Sequence, residues 1–267
     1  SYEYQTRYAV REVLDERPDK DRIRHIIKAP CPDAKPGVKE WDATYFRKLI
    51  EDALREMNVD RIDLLQWILR DGTAFKEEKS VQRFNAMSEE LLTTFEQMRD
   101  EGKVGHLGTF CYNNAYAQAA ARSGAFRALM FYYNLWDTTL QPSFDVMRDA
   151  GISVLPFRPF QGGLLTEKRR SIDELPPDDK FNDEKGRRQL ALRDQLLARA
   201  GVQPDNLTRV AIKFDLAPDL VTTLVTGMNT EKQVREVLSA VDGDYPAPEI
   251  ADRIYEAARE LGGPWTT

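Results

Sequence analysis

Histidine and cysteine are scarce in this chain of 267 residues: it has only His25 and His106, Cys31 and Cys111. Two cysteines exclude a disulfide framework and make a reducing cytosol the default compartment. A metal site needs three or four ligands, and no His/Asp cluster accompanies either cysteine, so a metal centre is excluded. Long apolar runs are also missing. None approaches the ~18 residues of a membrane-spanning helix, and Ser1–Lys20 is polar and charged, without a signal-peptide pattern. There is no basic block, and the net charge of −6 argues against a nucleic-acid partner. What remains is a chain with 42% hydrophobic residues and both signs of charge intermixed. It reads as one soluble globular domain over residues 1–267, long enough for a single α/β barrel of about 250 residues.

The apolar pattern alternates between strands and helices. Strands are expected at Ile23–Lys28, Ile62–Ile68, Val104–Phe110, Ala128–Tyr132, Ile152–Phe157 and Thr222–Thr226. The second of these is a nearly continuous apolar run, as in a strand buried on both faces. A short helical segment is expected at Ala9–Leu14. Asp42 can cap a helix whose stripe is Phe46, Leu49, Ile50, Ala53, Leu54 and Met57. Ser88 can cap another, with Leu91, Leu92, Phe95 and Met98 inward and Gly102 at its end. Further helices are expected at Asn114–Arg122, Ser143–Ala150, Arg188–Ala200, Asn206–Leu216 and Pro248–Leu261, and Thr230 with Gln233 forms a capping-box pattern. Thr166–Arg188, with seven acidic and seven basic residues, reads as a solvated, mobile loop. Strands that alternate with helices predict a parallel sheet.

Four stretches resemble the aldo-keto reductase family: ALREMNVDRIDLLQ ending at Gln66, EGKVGHLG at 101–108, GISVLPFRPFQGGLL at 151–165, and Val225–Val237 with Gly227 and Gln233. Tyr133-Asn134 falls between them in the family's order. The resemblance implies an α/β fold, the (β/α)8 TIM-type barrel. Ser1–Gln5 is similar to a family segment that follows the second barrel strand, so the first two strands and the active-site aspartate are expected to precede residue 1.

In such reductases a hydride passes from a nicotinamide to a carbonyl carbon, a tyrosine supplies the proton, and a neighbouring lysine lowers the tyrosine pKa. The resemblance carries these roles onto Tyr2 and Lys28. Lys28 is expected at the charged end of its strand, as strand ends line the active face of such barrels. It implies NADP(H) as cofactor and a small-molecule carbonyl as substrate. Phe157 would stack on the nicotinamide. Gly162 and Gly163 would allow close backbone approach to a pyrophosphate, with Gly227 and Gln233 completing the cofactor positions.

The chain also departs from the family pattern. Ile68 stands where a histidine is usual, Phe110-Cys111 where Ser-Asn is, Met130 where a glutamine is, and Gln233 and Val237 where a basic residue and an asparagine are. A 2′-phosphate is ordinarily held by charge-assisted bonds, so Gln233 weakens that subsite. Both histidines are expected inside strands, in structural roles. Cys111 lacks a base and reads as an inert buried thiol. Asp33, Asp71 and Asp137 follow strands and are available as acids or bases. Trp67, Trp136 and Phe110 are candidates for the wall of an apolar pocket. Two readings follow: a carbonyl reductase, or a homologue without redox catalysis whose apolar face binds a ligand or protein, or runs non-redox chemistry.

Overall fold

Short connections punctuated by left-handed residues set the ends of most helices. The computed structural model describes residues 4–31, 41–69, 72–169, 171–173, 175–243 and 248–265. The strands are β1 (Ile26–Pro30), β2 (Ile62–Ile68), β3 (Val104–Phe110), β4 (Ala128–Tyr132) and β5 (Ser153–Phe157). The helices are α1 (Tyr4–Asp15), α2 (Ala43–Met57), α3 (Glu77–Asp100), α4 (Asn114–Arg122), α5 (Phe144–Asp149), α6 (Glu184–Ala200), α7 (Leu207–Leu216), α8 (Glu231–Val241) and α9 (Pro248–Glu260). The chain divides into two compact units. One comprises residues 1–130 and 145–153, the other residues 131–144 and 154–267.

In the first unit β1, β2, β3 and the start of β4 stand side by side in chain order, each parallel to the next. The connections therefore have to be crossovers, and α2, α3 and α4 supply them. Asp42 caps α2 by accepting from Tyr45 N, and Asn58 ends it in the left-handed region. The outward side of β2 is apolar. Trp67 packs against Phe84 of α3, which in turn meets Tyr116 and Phe126. Each such aromatic pair adds about 0.5–1.5 kcal/mol beyond the area it buries. Arg7 of α1 and Glu56 of α2 form a buried ion pair at 2.8 Å.

Several boundaries differ from the sequence expectation in this unit; α1 runs over Tyr4–Asp15 rather than Ala9–Leu14, and β1 and α3 start elsewhere for physical reasons. β1 starts at Ile26 rather than Ile23, because Ile23 leaves a 3-10 turn over Lys20–Arg22 and His25 is held by the Asp63 carboxylate through its N–H at 2.8 Å. His25 therefore precedes the strand, and Lys28 lies at its centre rather than at its end. α3 starts at Glu77, eleven residues before Ser88, because Ser80, Arg83, Phe84 and Met87 extend the same buried stripe toward the N-terminus. Ser88 is inside the helix and returns its hydroxyl to Asn85 O.

The second unit contains most of β5 and helices α6 to α9. The expected strand Thr222–Thr226 is reduced to two parallel bridges, Val154 with Val221 and Phe157 with Val225. Between the bridges, four residues of β5 (154–157) face five of its partner (221–225). The extra residue breaks the ladder as a bulge does. The charged segment after Thr166 is tied down where it is described. Arg169 pairs with Asp179 at 2.9 Å, with side chains only 8% and 3% exposed, and its guanidinium lies over Phe181. Arg193 of α6 donates to Leu164 O and Arg169 O. Among the described residues no helix is long and apolar enough to cross a membrane.

Candidate functional site

Each unit carries one cluster of chemical interest. In the first, the register sets Lys28 opposite Gln66 and Gln66 opposite Gly108, so these three positions share one face of the sheet. Gln66 is wholly buried, and among the described residues neither atom of its carboxamide has a hydrogen-bond partner. Its room comes from Gly108: a Cβ there would stand 2.5 Å from Gln66 Nε2 and 2.8 Å from Ala128 O. Lys28 is half-buried, with Nζ 5.7 Å from the centre of the Phe110 ring, a cation–π distance. Ile68 is buried at the tip of β2 opposite Pro30, and Met130 is buried in β4 opposite Phe110. Tyr2, Asp33 and Asp71 lie outside the described residues.

The loops beyond these strand ends are fastened to each other. Asn113 caps α4 by accepting from Tyr116 N. The same side chain donates to Ala74 O at 3.0 Å and to Ser80 Oγ at 3.1 Å. Cys31, just past β1, is buried and accepts from Arg83 Nη2 at 3.4 Å. Burial holds the Cys111 thiol well above its ordinary pKa, which keeps it protonated and unreactive. His106 is exposed within β3.

The second cluster is the loop after β5. Four of the six residues at 158–163 have positive φ: Arg158 (65°), Gln161 (45°), Gly162 (63°) and Gly163 (94°). Left-handed conformations are costly at the two non-glycine positions and persist only when their surroundings hold them. Asn134 does so. It is wholly buried, donates to Arg158 O at 2.9 Å and to Gln161 Oε1 at 3.4 Å, and accepts from Trp136 N and Asp137 N. Arg169 holds the far end by donating to Gly163 O at 2.9 Å.

Cations surround this turn. A Cβ on Gly162 would lie 2.9 Å from Lys180 Nζ and 3.7 Å from an Arg158 guanidinium nitrogen. Among the described residues neither Lys180 nor Arg158 has a carboxylate within ion-pair distance. Partial desolvation, then the charges of Arg169 and Arg158, hold the Lys180 ammonium below its ordinary pKa, with Asp179 opposing. Arg158 lies 5.4 Å over the Tyr132 ring, which also lies 5.8 Å from the Phe157 ring. The N–H groups of Gln161 and Gly163 are used inside the turn, on Arg158 O and Phe160 O, so what suits this turn to an anion is the pair of cations beside Gly162.

The remaining sequence candidates are placed as follows. Gly227 follows the Val225 bridge, and a Cβ there would meet nothing within 4 Å. Gln233 closes the capping box of α8: its Oε1 accepts from Asn229 N at 2.7 Å and its N–H donates to Thr230 Oγ1. Lys232 faces Glu236, and Arg235 pairs with Glu231. Asp137 is buried and accepts from Thr139 N; desolvation raises its pKa. Trp67 belongs to the core beneath α3, and Trp136 packs on Trp265 at 4.4 Å. Sequence reading passed over Arg158, Lys180 and Asn113, and saw Asn134 only as a motif letter. The available signal for Arg158 was a cation standing among prolines and glycines directly after a strand.

Comparison with known proteins gives the family and the fold. The chain is 24% identical over 205 residues to the Bacillus subtilis oxidoreductase YqkF, covering 76% of this chain and 62% of the relative. It is 22% identical over 230 residues to an L-galactose dehydrogenase of Arabidopsis thaliana, covering 82% of this chain and 65% of the relative. The chain thus spans just under two thirds of the length of these two relatives. Among solved structures, an aldo-keto reductase from Bacillus halodurans in its holo form superposes with a TM-score of 0.73 at 21% identity, over 95% of this chain and 78% of that one. A glycerol dehydrogenase from Gluconobacter oxydans gives 0.67 at 21%, over 98% and 80%. These likenesses show the fold, the parallel α/β fold of aldo-keto reductases, which is of (β/α)8 type. The model of the aldo/keto reductase family matches residues 2–254, and the chain belongs to that family.

Proposed function

We propose that the protein is an NADP(H)-dependent reductase of a small-molecule carbonyl. The observation that carries this reading is the loop after β5. Its backbone is held in a left-handed course by Asn134 and Arg169, with Arg158 and Lys180 beside Gly162. The two cations beside the turn would supply charge for a dinucleotide pyrophosphate. Phe157, half-buried at the end of β5, offers a ring face for a nicotinamide. When bound, the cofactor supplies the hydride.

The protein's own residues would do the rest. Gly162 would admit the phosphates beside Arg158 and Lys180, the space beside Gly163 being taken by Arg169, and Lys28 would lower the pKa of the tyrosine whose role the family resemblance gives to Tyr2. The preference for the phosphorylated dinucleotide is expected to be slight. Gln233 is engaged in capping, and Lys232 and Arg235 face carboxylates of their own helix, so the 2′-phosphate gains no free cation from α8. NADPH and NADH are expected to bind within about tenfold of each other.

One observation favours a second reading, a homologue that binds a carbonyl or a protein without reducing it. Ile68 and Met130 are buried apolar side chains at positions where polar groups would orient the substrate and the carboxamide. Titration of the full chain with NADPH, followed by fluorescence, and then turnover with a panel of aldehydes and ketones separates the two. Binding with turnover supports the first. Binding without turnover of any carbonyl supports the second. No binding at millimolar NADPH overturns the reductase reading.

A further inference from the structure

The second unit buries an acid that no described residue neutralises. Asp215, on α7, is wholly buried, and among the described residues neither of its carboxyl oxygens has a hydrogen-bond partner. Lys213, the other buried charge of α7, makes no hydrogen bond to it. In such a place the charged form costs far more than the neutral acid. Burial accordingly holds the Asp215 carboxyl well above the ordinary carboxylate range. The adjacent Phe214 stacks on Tyr133 at 5.3 Å and meets Tyr255 of α9 edge-on at 5.9 Å. The hydroxyls of these two tyrosines pair at 2.6 Å, within electrostatic reach of Asp215. Tyr255 also feels Asp252, an exposed acid of its own helix. α8 packs on α7 as well, and among the described residues no charged group of α8 acts on Asp215.

We propose that Asp215 makes the seating of α9 pH-dependent: neutral, it tolerates the closed Tyr133–Tyr255 contact, and ionised, it opens that contact to bring water to its charge. Burial holds both tyrosines above their ordinary range, so once water enters, Asp215 is the acid of this contact that ionises first. With the contact open, Asp215 ionises near pH 4. With it closed, the acid stays neutral. The closed state is fully favoured below about pH 4 and loses about tenfold in its equilibrium constant for each pH unit above that, until the carboxyl ionises in place. The consequence reaches the turn after β5. Tyr133 directly precedes Asn134, whose side chain holds that turn at Arg158 O and Gln161 Oε1. Opening at Tyr133 loosens the turn, and dinucleotide affinity falls as pH rises. Only this last step rests on the reductase reading; the seating of α9 does not.

Hydrogen–deuterium exchange of the full chain from about pH 5 to 9, wild type against Asp215→Asn, reads the opening of α9 directly. Taking the ratio of the two rates cancels the chemical pH dependence of exchange. The expected wild-type to variant ratio over α9 rises about tenfold per pH unit up to a plateau, while the ratio over α2 stays level. Asp215→Leu, which removes the acid without adding amide donors, should show the same flat response as Asp215→Asn; circular dichroism checks that both variants fold. The Trp136–Trp265 contact at 4.4 Å gives a second readout in wild type itself. Its near-ultraviolet signal should fade at alkaline pH and persist in both variants. NADPH affinity should fall about threefold or more further in wild type than in Asp215→Asn between about pH 6 and 9. A ratio over α9 that does not change with pH, or one that rises equally over α2, overturns the proposal. NADPH binding with the same pH dependence in both chains overturns the link through Asn134. Absence of NADPH binding with the α9 response intact sinks the reductase reading and leaves the seating of α9 standing.

Discussion

Asn113 and Asn134 do the same job in the two units, and the loops they hold have opposite chemistry. Each is a buried asparagine just past a strand that accepts main-chain N–H groups with its oxygen and donates its amide to a neighbouring loop. Asn113 orders a run of aromatic rings with one cation at its inner end. Asn134 orders a strained turn with cations beside it and glycine at its centre. The first loop system suits an apolar, flat ligand and the second a charged one.

The largest effect expected concerns Lys28. On the reductase reading, Lys28→Met should lower kcat by about 10²- to 10⁴-fold, with the NADPH dissociation constant within twofold of wild type; loss of NADPH binding instead would place Lys28 in the anion surface and erase the contrast. Next is the double variant Arg158→Ala with Lys180→Ala. Charge-assisted hydrogen bonds are worth about 1.5–3 kcal/mol each, and Lys180 is exposed and so discounted. NADPH binding should weaken about ten- to a hundredfold and lose most of its salt dependence.

Asn134→Ala should cost about 1–3 kcal/mol of stability in urea unfolding, because it strands two main-chain N–H groups and frees a turn with two non-glycine left-handed residues. NADPH binding should fall with it. The smallest effect is acid-dependent. The Arg169 hydrogen bond holds the Asp179 carboxyl below its ordinary value, so its stabilising contribution is complete above about pH 4 and is lost as pH falls through the depressed native value. Asp179→Asn should lower stability at pH 7 and flatten its acid dependence below pH 4. An unchanged acid profile would show that the Arg169–Asp179 pair does not anchor the charged segment.

Much of the fold was legible because the apolar pattern is strong. The limits of β2, β3 and β4 agree with expectation: β2 and β4 are largely apolar, and β3 begins just after Gly102, which ends the helix before it. Where sequence reading erred, non-local interactions decided. Asp63 takes the His25 N–H and pushes the start of β1 three residues on. A bulge opposite β5 dissolves the last strand into two bridges. The acidic and basic residues after Thr166 look like a solvated tract, yet Arg169 finds Asp179 ten residues away and both are buried.

The site was less legible for the same reason. Ile68 and Phe110 could be flagged by comparing letters with a family pattern, and both are buried as apolar wall. Arg158 and Lys180 are twenty-two residues apart, and only the turn at Gly162 brings them together. Gln233 is a cofactor position only by its place in the family pattern, while its helix-capping use was legible from Thr230 three residues before it, and its Oε1 accepts from Asn229 N.

The most direct measurement is fluorescence titration of the full chain with NADPH at two ionic strengths, in wild type and in the Arg158→Ala, Lys180→Ala double variant. The expected result is saturable wild-type binding below millimolar NADPH that weakens with salt, and a double variant that binds ten- to a hundredfold more weakly with little salt effect. No wild-type binding at millimolar NADPH, or identical binding by the double variant, would contradict the assignment of the turn after β5 as the dinucleotide's phosphate site.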